Sequence, residues 1–199
     1  MEPDKWIDEI DNITGRYKQA FGNLSNEQLN WKPNEKTWSI AQIMDHIVVL
    51  NETYYPIFDA LRQGRYKASF MSRFGFMVNL FGNLILKSVQ PDSRKKVKTF
   101  PIWEPANSEI KGDILKRFED HQTGLKEQIT SCRELGKSTV ISSPANKYVV
   151  YKLETVFDII VAHEQRHFVQ AKDALAMSES TGLAKDKGSN LNKGFNSSI

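Results

Sequence analysis

The sequence predicts an all-α fold, a four-helix bundle with crossover connections. Three observations carry that expectation. Four long stretches repeat apolar residues at three- and four-residue steps, no stretch sustains the two-residue alternation of a strand, and serine capping boxes punctuate the chain. A length of 199 residues, 40% of them hydrophobic and 26% charged, suits one domain with its own core. That domain is expected over residues 1–177, with 178–199, poor in apolar residues, as a disordered tail.

Trp6, Ile10, Ile13 and Tyr17 mark the first helix, with Pro3 suited to its first turn and Gly22 placed to end it. Ser25 with Gln28, then Ser39 with Gln42, have capping-box spacing. The second long helix therefore starts near Ile40. Its stripe runs Ile43, Ile47, Leu50, Tyr54 and Ile57 and closes before Gly64, with Pro56 placed to kink or shorten it. Residues 70–89 are the most apolar stretch; Arg73, Asn79 and Asn83 argue against a membrane span, and packing on the core is expected in preference to a surface-lying amphipathic or partner-binding helix. An irregular crossover with two prolines follows, in which Arg94 to Lys98 read as a solvated charge run. Ile110, Ile114, Phe118, His121, Leu125 and Ile129 mark the third long helix, ending near Gly136. Residues 137–152 read as a loop, although their valines hint at an extended piece, and the fourth long helix spans Leu153 to Met177.

A net charge of only +3, from 27 basic and 24 acidic residues interspersed along the helices, gives no support to nucleic-acid binding. The opening MEPDKWIDEI has acid where a secretory signal carries base, no apolar region follows it, and a single cysteine, Cys132, forms no internal disulfide. A cytoplasmic location is the expectation, with no membrane partner. An exposed part of the 70–89 helix would suit a homodimer.

Chemistry concentrates in HEQRH, residues 163–167, where His163 and His167 stand one helical turn apart on the same face as Val156, Ile160 and Ala174. Two imidazoles rarely hold a metal alone, and catalytic zinc sites use three protein ligands and a water. His46, between Ile43 and Leu50, also borders a buried stripe and can meet the pair across the bundle. His121 lies on an apolar stripe as well; a lone histidine there is more often a satisfied core residue than a ligand. HEQRH also matches the H-E-x-x-H of zinc proteases, but Gln170 and Asp173 stand where one extended protease pattern needs glycine and histidine. Glu164, about 100° round the helix from His163, is an acid/base candidate or a structural residue facing a neighbouring helix. Arg166 would attract an anionic substrate at the mouth of the site or lie on a solvated face, and Cys132 is too far from the motif in sequence to be favoured as nucleophile.

Three segments, LSNEQLNWKPNEKTWSIAQIMDHI, KVKTFPIWEP and SSPANKYVVYKLETVFDIIVAHEQRHFVQA, together resemble the DinB-like (YfiT-like) metalloprotein superfamily, most of residues 1–177 taking part. The resemblance implies a four-helix bundle whose metal triad takes one histidine from the second helix and two from the fourth, at the positions of His46, His163 and His167. It leaves His121 out and matches Gln170 to a frequent family glutamine supporting the last ligand. It further implies one divalent ion, zinc or nickel before iron or manganese, and a small-molecule substrate. Family members with known activity join a low-molecular-weight thiol such as bacillithiol or mycothiol to an electrophile, and others are assigned as metal-dependent hydrolases. Such an ion activates a thiol or water at neutral pH. A non-catalytic metal-binding stress-response or interaction protein is the alternative.

Overall fold

The long helices form where apolar residues recur at helical spacing in the computed structural model, which describes residues 5–92, 99–105, 108–135 and 138–181. Helix α1 (Lys5–Phe21) buries Ile10, Ile13, Tyr17 and Phe21 on one face. Both capping boxes close as their spacing predicts: Ser25 opens the short α2 (Asn26–Asn30) and Ser39 opens α3 (Ile40–Glu52). Pro56 shortens the second long helix rather than kinking it. It sits in the first turn of a separate α4 (Tyr55–Arg62), where its missing N–H leaves no carbonyl without a donor.

The third long helix, α6 (Ile114–Arg133), starts one turn later than the stripe from Ile110 predicts. Gly112 takes a left-handed φ of 84°, and Asp113 caps the helix by accepting from the Lys116 amide. Ile110 instead exchanges two hydrogen bonds with the Asn30 side chain at the end of α2. The last helix, α7 (Leu153–Ser180), runs slightly past Met177. Ser178–Ser180, expected in the disordered tail, belong to this helix, with Ser178 buried; the rest of that tail from residue 182 onward, Pro3, Gly136 and the basic run 94–98 fall outside the described residues.

The four long helices form a closed ring of neighbours: α1 packs on α6 and α7, and α3 packs on the same two. Aromatic and aliphatic side chains fill the centre, with Tyr17, Phe21, Ile43, Ile47 and Phe118 at one end and Leu50, Phe58, Ile129, Phe157 and Ile160 at the other. This is the expected all-α bundle, and the connection from α3 to α6 is the long crossover.

Two expectations are corrected. Residues 137–152 are not a loop: β1 (Val140–Ser143) and β2 (Asn146–Lys152) pair antiparallel, with Ile141 opposite Tyr151 and an irregularity at Ser142/Ser143. A lone hairpin is marginal in water. This one is stabilised by α5 (Gly75–Ser88), a partner remote in sequence that lies on β2 and α7. Helix α5 is not a core helix either: only Val78 and Gly82 are buried, while Phe76, Leu80 and Leu84 are exposed. Among the described residues no helix is long and apolar enough to cross a membrane.

Gly82 allows this docking. A Cβ there would lie 3.2 Å from Thr155 Cγ2 and 3.4 Å from Tyr151 Cβ. Gly82→Leu should therefore lift α5 from the hairpin while leaving the bundle intact. Limited proteolysis should cut within residues 65–92 at least about threefold faster than in wild type, with the bundle helicity measured by circular dichroism retained.

Candidate metal centre

The three histidines singled out in the sequence meet inside the bundle. His46 is carried inward by the buried face of α3, and His163 and His167 by successive turns of α7. Nε2 of His163 lies 3.3 Å from Nε2 of His46 and 3.0 Å from Nε2 of His167. One nitrogen from each ring falls within 4.8 Å of the others, and all three residues are buried.

Neighbours decide which nitrogen each ring can offer. The Nδ1–H of His46 donates to the Trp103 carbonyl at 2.6 Å, and that of His167 to Gln170 Oε1 at 2.9 Å. With the protons held there, both Nε2 atoms present lone pairs to the centre. Nδ1 of His163 has no hydrogen-bond partner. Burial is the main cause that disfavours the imidazolium in each ring. It lowers His46, pushes His167 down to about 3 with the help of His46, and holds His163 well below the usual range with added repulsion from His167 and His46. At neutral pH the three rings are uncharged, the form that ligates a metal.

The donor set fits a divalent ion. With zinc–nitrogen bonds of about 2.0–2.1 Å, a tetrahedral site separates its nitrogens by about 3.3–3.4 Å, close to the two spacings in the cluster. No fourth histidine, cysteine or carboxylate joins the group among the described residues.

Several supports escaped the sequence reading. The Trp103 carbonyl comes from a single 3-10 turn (Pro101–Trp103), anchored where the Trp103 indole N–H donates to Thr53 Oγ1 at 3.2 Å. The Trp38 ring lies 4.9 Å from that of His46 and stacks 6.2 Å from that of His167. A carbonyl is common to every residue, so Trp103 left no local signal; its segment was marked only by the family resemblance.

Glu164 points elsewhere. Fully buried, its carboxylate accepts from Asn51 Nδ2 at 2.8 Å and Gln122 Nε2 at 2.7 Å, tying α7 to α3 and α6. Burial raises its carboxyl to about 7, an effect the two amides partly oppose. His121 stays off the cluster: Nε2 faces Asn51 Nδ2 at 3.3 Å and Nδ1 faces the Tyr55 hydroxyl at 3.3 Å. Burial and the nearby Arg117 lower it to about 4. Arg166 does not face solvent freely; its guanidinium donates to the Ser88 and Gln90 carbonyls at the end of α5, and its charge adds to the lowering of His163 and His167. Cys132 is buried in the lower core, where burial raises its thiol, and its Sγ faces the Phe58 carbonyl at 3.9 Å.

The model of the DinB superfamily matches residues 9–171 of the chain. The chain is also similar to the uncharacterized protein YuaE of Bacillus subtilis (strain 168), with 29% identity over 157 residues, covering 75% of this chain and 85% of that protein. No solved structure matches it.

Two outcomes follow from the buried polar groups. Glu164→Leu strands the Asn51 and Gln122 amides and should cost about 2–4 kcal/mol in urea unfolding. Glu164→Gln should cost less than about 1 kcal/mol, because either amide can turn its oxygen toward the new N–H₂. His121, neutral in the folded chain down to about pH 4, protonates near 6.5 once unfolded. As pH falls from 6.5 toward 4 the unfolded state gains the proton first, so this residue's contribution to stability is lost across that window. The difference between wild type and His121→Asn should change by up to about 1.4 kcal/mol per pH unit there and be flat above pH 7.

Proposed function

The chain belongs to the DinB superfamily, and on that premise we propose that it is a metal-dependent enzyme activating a low-molecular-weight thiol or water, of the S-transferase or hydrolase type. The convergence of three uncharged, buried Nε2 atoms carries this reading. His46, His163 and His167 would hold one divalent first-row ion, zinc or nickel among those that an all-imidazole donor set accepts. When bound, such an ion lowers the pKa of a thiol or water at an open position and presents its anion to a small-molecule electrophile.

The chain's own residues orient and shield. The Trp103 carbonyl and Gln170 fix the tautomers of His46 and His167, which keeps both lone pairs inward without reorganisation. Trp38 covers one side of these two rings and limits water there. Three protein ligands, with no fourth among the described residues, favour a catalytic over a purely structural centre, since structural zinc sites are closed by four. Glu164 is a bracing residue in this scheme rather than a general base, because both its oxygens are already engaged by amides. That removes the main support for the protease reading of HEQRH.

Protein purified without chelator should carry about one divalent ion per chain by elemental analysis, and His163→Ala should carry none. Gln170→Ala, which releases the His167 ring, should weaken the metal about 10- to 100-fold in competition with a chromophoric chelator. Metal-loaded wild type should consume thiol in the presence of model electrophiles. Equal rates in wild type and His163→Ala would rule out the enzyme, and tight metal binding without turnover would favour the non-catalytic alternative.

A further inference from the structure

Helix α5 has two unlike faces. Val78 and Gly82 meet the hairpin and α7, while Phe76, Leu80 and Leu84 recur at four-residue steps on the outside, exposed by 68%, 53% and 64%. The ridge continues into the 3-10 turn Phe70–Arg73, where Phe70 is 64% exposed and packs edge-on against Phe74. Five large apolar side chains on one short segment form a contiguous patch of the kind that marks a contact surface rather than scattered exposure.

Charge selects the occupant. From Ala60 to Pro91 the chain has five basic residues, Arg62, Arg65, Lys67, Arg73 and Lys87, and no aspartate or glutamate. Arg62 is paired with Asp59, but among the described residues no carboxylate pairs with Arg65, Lys67, Arg73 or Lys87. Arg73 and Lys87 stand near the two ends of the apolar ridge, and Arg73 lies over the Phe70 ring. A second copy laid on this face would set basic residues against basic residues with no acid in the segment to answer them. An anionic lipid surface answers both features, taking the apolar ridge at the acyl boundary and the cations among its headgroups.

We propose that the outer face of α5 with the preceding turn docks on anionic membrane surfaces, lying in the interface plane. That no helix among the described residues is long and apolar enough to cross a membrane does not bear on such a contact. Docking would not require α5 to detach: Gly82 holds its inner face to the hairpin, and Arg166 of the metal helix holds its end through the Ser88 and Gln90 carbonyls. The proposal stands independently of the metal chemistry.

Co-sedimentation of the full chain with vesicles tests it. Binding should be at least about tenfold stronger to phosphatidylcholine with one-quarter phosphatidylglycerol than to phosphatidylcholine alone, and should fall steeply with salt. Leu80→Glu and Leu84→Glu, both at exposed positions, should abolish binding while keeping the wild-type circular dichroism; Met177→Glu, exposed outside this helix, should not. Equal binding to both vesicle types, or no binding to either, overturns the proposal. So does a dimer in light scattering that Leu80→Glu converts to monomer, which would assign the face to a second copy.

Discussion

The structure is organised around the burial of a polar run. On α7, His163, Glu164 and His167 are at most 8% exposed, and each must find partners inside the bundle because an unbonded polar group in an apolar interior costs several kcal/mol. Their partners are spread over the fold. His46 and Asn51 come from α3, Gln122 from α6 and Gln170 from the next turn of α7, while His46 is itself held by the Trp103 carbonyl of the crossover. The apolar core above and below can be filled in many ways. The placement of these polar groups cannot, so they set how α3 and α6 sit against α7.

This explains which features were legible in the sequence. Helices α1, α3 and α7 each present an apolar stripe with a local period, and Ser25 with Gln28 and Ser39 with Gln42 mark the starts of α2 and α3. The pair His163 and His167 shares that legibility, since one helical turn separates them. Local periodicity says less about what depends on remote chain. The hairpin is a strand pair because α5 covers it, and Pro144 with its serines conceals that from a local reading. Helix α5 shows the reverse error: its composition is that of a core segment, yet composition does not say whether a second layer will cover the outer face. His46 needed the family resemblance to be placed with the pair, because nothing on α3 alone distinguishes it from His121 on α6. Their difference lies in what faces each ring, a histidine pair for one and an amide and a phenol for the other.

Burial has the same sign of effect on all four imidazoles but different consequences. It keeps His121 neutral and hydrogen-bonded to Asn51 and Tyr55, where it acts as an ordinary polar core residue. In the cluster it keeps three rings neutral with their Nε2 atoms turned toward one another, an arrangement that gains little from hydrogen bonding once the Nδ1 protons of His46 and His167 are committed elsewhere. Two lone pairs facing a third ring across 3.0–3.3 Å leave at most one proton to share among three acceptors. A cation with several coordination positions would satisfy such a set more completely than any single proton, which is the physical basis for reading the cluster as a candidate metal site.

The five residues HEQRH read as one catalytic motif in sequence, but a helix turns about 100° per residue and spreads them around its circumference. His163 and His167 face His46 on α3. Glu164 faces the amides of α3 and α6, Gln165 donates to Glu9 on α1 at 3.0 Å, and Arg166 reaches the end of α5. Adjacent residues therefore serve different neighbours. The resemblance to H-E-x-x-H is a coincidence of spacing: two histidines at one turn are what any helix needs to grip an ion, and the glutamate between them belongs to another face. The same geometry makes this turn of α7 the point at which four other helices are tied together.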